Sequence, residues 1–268
     1  MRVMYWNCTA PVGTSSFDKA KLAIIAGRVA QVKPDILCLD EVSVKVASVA
    51  AAAAWAASMG LKGYTAKVVS LNPGSHLNMI LFHGPELSKC KSEEGIPDPD
   101  WGGDKTKRNL IRSTWIDPKT ARPLSVWFLH ANASAVGGKT AVELALAAMA
   151  DTSSIFMGDF NNGLAAATDE AKAAKAFAVS PVARTAKAAA YSQWSRGLTP
   201  AQSDPAYKIA GTTYDFKPNS QGCIDFALGR NLIAATAVDA LAGLDANGYG
   251  QLMMNVDHIP IAYDVLAA

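Results

Sequence analysis

Six times between residue 3 and residue 260 an apolar run ends in a carboxylate, a histidine or an asparagine. Trp6-Asn7 closes the first run, Leu39-Asp40-Glu41 the second, and Trp127-Phe128-Leu129-His130-Ala131-Asn132 another. Ile155-Phe156-Met157-Gly158-Asp159-Phe160-Asn161, Ile224-Asp225-Phe226 and Val256-Asp257-His258-Ile259-Pro260 complete the set. Short apolar runs bounded by turn formers read as buried strands, and strand ends are where a rigid scaffold can aim side chains into one site. Between the runs lie alanine-rich segments with helical spacing, so the pattern predicts a layered α/β or α+β fold with helices flanking sheets.

The elements can be placed coarsely. Val3 to Trp6 is a strand; Asp18 is positioned to cap a helix whose Leu22, Ile25, Val29 and Val32 repeat at helical spacing, and Pro34 stops it. Ile36 to Leu39 is a buried strand, after which Ser43 can cap a second helix that Gly60 ends. Further strands are expected at 64–69, 78–82, 110–116, 124–130 and 155–157. The Gly-, Pro- and Asp-rich stretch 93–107 reads as a loop, and 180–212 as a longer irregular region of the kind that often carries function.

Bulk properties narrow the class. At 268 residues the chain can form one domain spanning 1–268, and with half its residues hydrophobic and 18% charged it can bury a large core. A net charge of +2 is too small to argue by itself for a nucleic-acid partner. The four cysteines, Cys8, Cys38, Cys90 and Cys223, form no C-x-x-C pair, and a zinc site would need clustered ligands. The longest apolar run, from about Val46 to Ala57, is shorter than the roughly 20 residues of a membrane span, so no stable membrane insertion is expected. The start of the chain reads as a strand rather than a signal peptide, which leaves a cytoplasmic protein and a secreted or trimmed effector both open. A monomer is expected.

Taken singly, an Asp or Asn after a strand is usually a turn or a helix cap: Glu41 can cap the helix near Ser43, Asn7 can be a turn residue, and Asp159 with Asn161 can cap the chain around Gly163. Together the six ends supply carboxylates for a metal and two histidines, the means of attacking a phosphate with activated water. His76 and His83 sit in no such motif.

Asn7, Pro34-Asp35-Ile36 leading to Glu41, His130, Gly158-Asp159-Phe160-Asn161, Ile224-Asp225-Phe226 and Asp257-His258 resemble, in order, the motifs of the endonuclease/exonuclease/phosphatase superfamily. They span almost the whole chain. The resemblance implies a four-layer α/β/β/α sandwich, two packed and mainly antiparallel β-sheets flanked by helices, with the site at one end of the sheets. Within the superfamily it most resembles DNase I-like enzymes and, nearest in pattern, the nuclease subunit of cytolethal distending toxins, to which Arg112 and Gly137-Gly138 are similar. The longer signature of inositol polyphosphate phosphatases is missing, and abasic-site endonucleases usually show Gln-Glu where Asp40-Glu41 stands.

The activity so implied is a divalent-metal-dependent phosphodiester hydrolase, foremost an endonuclease cutting DNA with little sequence preference. A phosphoinositide phosphatase or sphingomyelinase-like phosphodiesterase would use the same residues, and a binding member of the fold without catalysis is the third reading. Mg²⁺, or Mn²⁺ or Ca²⁺ in its place, is expected on Glu41 with Asn7 and Asp257 near the ion, because magnesium takes oxygen ligands and keeps several waters. Asp159 would orient or deprotonate water, Asn161 would donate to a phosphate oxygen, Asp225 would fix His258, and His130 would be general acid or phosphate contact. Asn7, Asn132 and Arg112 are the expected substrate contacts, Arg112 because a cation inside a strand has to be aimed at something. In DNase I a glutamate supports the second histidine; here Asn78 occupies the matching strand, and an asparagine orients an imidazole without stabilising its charge.

Overall fold

The structure is a computed structural model that describes residues 1–8, 19–43, 45–70, 77–85, 87, 92–93, 107–131, 135–149, 153–179, 194–195, 208–209, 212–213, 217–218, 223–245, 248, 252 and 258–268. In chain order these form β1 (Arg2–Asn7), α1 (Lys19–Val32), β2 (Ile36–Ser43), α2 (Val49–Met59), β3 (Thr65–Ser70), β4 (Leu77–His83), β5 (Ser92–Glu93), β6 (Lys107–Ile116) and β7 (Pro123–Ala131). There follow α3 (Ala135–Ala148), β8 (Ser154–Asp159), α4 (Leu164–Ala173), β9 (Phe177–Val179) and four two-residue strands, β10 (Trp194–Ser195), β11 (Lys208–Ile209), β12 (Thr212–Thr213) and β13 (Lys217–Pro218). β14 (Asp225–Arg230), β15 (Leu232–Val238) and β16 (Ile261–Ala267) close the chain.

Two six-stranded sheets run in the orders β15-β16-β1-β2-β4-β3 and β5-β6-β7-β8-β14-β9. Each has one parallel pair at its centre, β1 with β2 and β7 with β8, and antiparallel neighbours everywhere else. A parallel pair needs a crossover, which α1 and α3 supply. The pairs are buried, β1 and β2 almost throughout, so their sequences read as continuous apolar runs rather than alternations.

The core is shared between the sheets. Val3, Tyr5, Cys38 and Ile80 of the first pack in one cluster with Ile111, Trp115, Val126, Phe128 and Met157 of the second, and Ile25, Val29, Ala52 and Ala56 bring α1 and α2 onto the same cluster. Across the outer face of the second sheet, Trp127, Leu129, Phe156 and Phe226 pack with Val142 and Ala145 of α3 and Ala167 and Ala171 of α4. The layers are therefore α/β/β/α, the sandwich expected from the sequence.

Two local expectations change. The N-cap of α2 is Ser48, whose side chain accepts from Ala51 N at 3.1 Å, and not Ser43, because β2 continues through Ser43 in its pairing with Leu77. Gly60 does end α2, in the left-handed conformation with φ 78°. The Asp18 cap and most of 93–107 and 180–212 lie outside the described residues. Among the described residues no helix is long and apolar enough to cross a membrane, and Cys8, Cys38 and Cys223 are buried thiols.

Candidate active site

Topology explains why distant polar residues meet. The parallel pairs place the carboxyl ends of β1 and β2 together, and those of β7 and β8 together. The antiparallel neighbours β14 and β16 bring their amino ends to the same pole. Asn7 thus ends β1, Asp40 and Glu41 lie near the end of β2, His130 is one residue from the end of β7, Asp159 ends β8, and Asp225 opens β14. Register aligns them: His130 is opposite Asp159, and Asp225 is opposite Asp159 on its other side. Trp6 Nε1 donates to His258 O at 2.9 Å, which ties the segment before β16 to β1.

Two histidine–carboxylate pairs define the pocket. His258 Nδ1 is 2.8 Å from Asp225 Oδ2, and His130 Nδ1 is 2.7 Å from Asp40 Oδ2. Their other ring nitrogens converge, His130 Nε2 and His258 Nε2 each lying 3.8 Å from Asp159 Oδ2. Asn7 Nδ2 is 3.4 Å from that oxygen and 3.4 Å from His258 Nε2. Glu41 Oε1 stands 3.7 Å from His130 Nε2, and its side chain, 14% exposed, is the open edge of a group whose imidazoles and aspartates are almost wholly buried.

A break in strand regularity brings Asp40 and Glu41 to one place. In a regular strand successive side chains face opposite ways. The β2–β4 register shifts between Leu39 and Val42, so Asp40 and Glu41 together oppose Met79 alone, and Glu41 adopts φ 50°. Such a bulge re-aims side chains beside functional sites. Asn161 also has positive φ, 46°; its N–H donates to Asp159 Oδ1 at 2.9 Å and its Nδ2 to Ala131 O at 3.0 Å. One of its two amide hydrogens is thereby used on the loop itself. Gly158 is required by close approach: a Cβ there would lie 1.8 Å from Leu129 O on β7.

The charges are coupled. Burial alone would lower the His130 pKa, but Asp40, Asp159 and Glu41 override it and raise it to about 9. Burial pushes the Asp40 carboxyl up, and His130 with the Tyr5 hydroxyl pulls it below its ordinary value. Asp159 is held above the usual carboxylate value, first by burial and then by Asp225. Glu41 is raised, chiefly by burial, with Asp40 and Asp159 adding to it. A crowded set of hard oxygen donors, two of them disfavoured as anions, is the environment a divalent cation relieves, so Glu41 and its neighbours fit a divalent metal ion. Asp159, Asp225 and His258 also offer ligand atoms within 4.8 Å of one another. In that trio Asp225 and His258 are already hydrogen-bonded to each other, which favours the Glu41 side for the ion.

Of the residues expected from the sequence, Asn7, Glu41, His130, Asp159, Asn161, Asp225 and His258 are brought together. Asn132 and Asp257 lie outside the described residues. Arg112 does not join them: it is exposed, pairs in register with Trp127 and holds its Cζ 5.2 Å from that ring's centroid. Trp127 packs with α3 and α4, so Arg112 projects on the outer face, and the aim its strand position demanded is a cation–π contact. Asn78 does not support His130 either, since its Nδ2 donates to Val46 O at 3.0 Å. The carboxylate on His130 is Asp40, which sequence reasoning passed over in favour of Glu41.

No family model matches the chain, and no curated protein matches it in sequence. Solved structures do match in fold. An endonuclease/exonuclease/phosphatase protein from Bacteroides vulgatus superposes with a TM-score of 0.63 at 15% identity, covering 100% of this chain and 98% of that one. The human Nocturnin catalytic domain with bound sulfate gives 0.59 at 16%, covering 99% and 94%. TDP2 from D. rerio, complexed with a single-strand DNA product, gives 0.56 at 13%, covering 98% of both chains. The fold is that of the endonuclease/exonuclease/phosphatase superfamily, DNase I-like in architecture.

Proposed function

We propose that this protein is a Mg²⁺-dependent phosphodiesterase whose substrate is DNA, nicked without strong sequence preference. The observation that carries the reading is the convergence of two carboxylate-held imidazoles on Asp159 Oδ2, with Glu41 at the open edge. A fold neighbour crystallised with a single-strand DNA product supports the choice of substrate class.

A phosphodiester resists hydrolysis because its charge repels nucleophiles, so a catalyst must neutralise the nonbridging oxygens, prepare a water and stabilise the leaving oxygen. Asp159, the central acceptor with a raised pKa, orients and deprotonates water. His258, held by Asp225, presents Nε2 to the phosphate, and His130 presents its own Nε2 from the opposite side as phosphate contact or proton donor. Asn7 and the remaining amide hydrogen of Asn161 hold nonbridging oxygens. Glu41, with Asn7 and Asp257, would hold the metal ion, which when bound supplies positive charge to the phosphate and leaving oxygens.

The test pairs a plasmid-nicking assay, with Mg²⁺ or EDTA, with release of phosphate or phosphocholine from phosphoinositide and sphingomyelin vesicles, for wild type and His258→Ala. Mg²⁺-dependent nicking lost in the variant is expected. Lipid hydrolysis without nicking would overturn the DNA assignment, and the absence of both activities would overturn the enzymatic reading.

A further inference from the structure

The structure assigns Asp40, rather than Asn78, as the positioning residue for His130, an assignment that rests on the proposed phosphodiesterase. Asp40 is wholly buried and each oxygen is bound: Oδ1 accepts the Glu41 N–H at 2.7 Å, and Oδ2 accepts the Tyr5 hydroxyl at 2.6 Å and faces His130 Nδ1 at 2.7 Å. A buried carboxylate so surrounded by donors cannot rotate without orphaning one of them. It therefore holds the proton on Nδ1 and fixes the ring plane, leaving Nε2 as the atom that faces Asp159 Oδ2 and Glu41 Oε1.

The geometry also links this support to the metal side of the pocket. The bulge that opposes Asp40 and Glu41 to Met79 gives both residues access to His130, one at each ring nitrogen. The hydrogen bond from Glu41 N to Asp40 Oδ1 closes the bulge on itself. One local irregularity in β2 thus sets both the imidazole and the carboxylate beside it. Tyr5, on β1 and buried, braces the arrangement from behind.

Two measurements decide it. In ¹⁵N-histidine-labelled full-length protein, with His130→Gln identifying the signal, His130 is expected to be protonated on Nδ1 at pH 7; an unprotonated Nδ1 overturns the assignment, whatever the activity. In the kinetics of nicking supercoiled plasmid, Asp40→Asn is expected to lower kcat about 100-fold with KM changed less than about threefold, and Asp40→Glu to recover part of it. Tyr5→Phe serves if Asp40→Asn does not fold, with a loss of about tenfold expected. Asn78→Ala is expected to keep kcat within about threefold. Wild-type kcat in Asp40→Asn, or a large loss in Asn78→Ala, overturns the assignment. A wild type inactive on every substrate would instead remove the phosphodiesterase reading, and the labelled-histidine measurement would still report whether Asp40 holds the ring.

Discussion

His130 and His258 present their Nε2 atoms to one oxygen, Asp159 Oδ2, at 3.8 Å each, although they are 128 residues apart in sequence. Each ring is held through its Nδ1 by a different aspartate, Asp40 for one and Asp225 for the other. Because each ring has its own carboxylate, the two imidazoles can be removed or loosened one at a time, which makes the site divisible by mutation.

Removing either imidazole tests the division. His258→Ala is expected to lower kcat by 100-fold or more, and Asp225→Asn, which leaves the ring in place but not its charged partner, by about tenfold to 100-fold. The rates of plasmid nicking at saturating Mg²⁺ give both numbers.

Stability should depend on pH through His130. Its folded pKa of about 9 lies above the unfolded 6.5, so the folded state binds the proton more tightly. The stabilisation is complete below about pH 6.5 and is lost as pH rises through about 9, an effect on the order of 3 kcal/mol. Urea unfolding of metal-free protein at pH 6 and pH 10 should show the loss in wild type and not in His130→Gln. The low pKa of Asp40 acts in the opposite range, its contribution disappearing as pH falls below the ordinary carboxylate value.

Metal binding should be readable without activity. Saturating Mg²⁺ at about 100 times Kd stabilises a folded site by about 2.7 kcal/mol, a rise in Tm of roughly 5 °C for a chain this size. Glu41→Gln is expected to abolish that rise. Without metal the variant should be as stable as wild type or more so by about 1 kcal/mol, because burial holds the Glu41 pKa up and disfavours its charge. Scans with Mg²⁺ and with EDTA measure both.

Gly158→Ala should be severe. A Cβ 1.8 Å from Leu129 O forces β7 and β8 apart where His130 and Asp159 pair, so a loss above about 3 kcal/mol in urea unfolding is expected. Arg112→Ala should cost only about 0.5–1 kcal/mol, the Trp127 contact, and leave kcat/KM for nicking within about twofold.

Much of this arrangement was legible because the β1, β2, β7 and β8 runs are apolar and end abruptly in polar residues, which marks buried strands whose ends can aim side chains into one site. Asp225 with His258 was legible through the resemblance of Ile224-Asp225-Phe226 and Asp257-His258 to the superfamily's motifs, since Asp225 opens β14 and His258 precedes β16. Asp40 was not: beside Glu41 in a regular strand it would face away from it, and the bulge that turns both inward depends on pairing with β4, which no local pattern records. Asn78 looked like a partner for His130 because its strand is right, but its amide donates to Val46 O. Ser43 looked like a helix cap because its participation in β2 depends on Leu77, 34 positions away. Arg112 showed that an exposed cation in a strand had a target, and the target was a ring on the neighbouring strand.

The most direct test of the account is the rate of phosphodiester cleavage in supercoiled plasmid by wild type and Asp159→Asn, each with Mg²⁺ and with EDTA. Wild type is expected to nick in the presence of Mg²⁺ only, with the rate reduced at least 1000-fold in the variant while the fold and the Mg²⁺-induced rise in Tm persist. Equal rates in the two proteins, or nicking indifferent to EDTA, would contradict it.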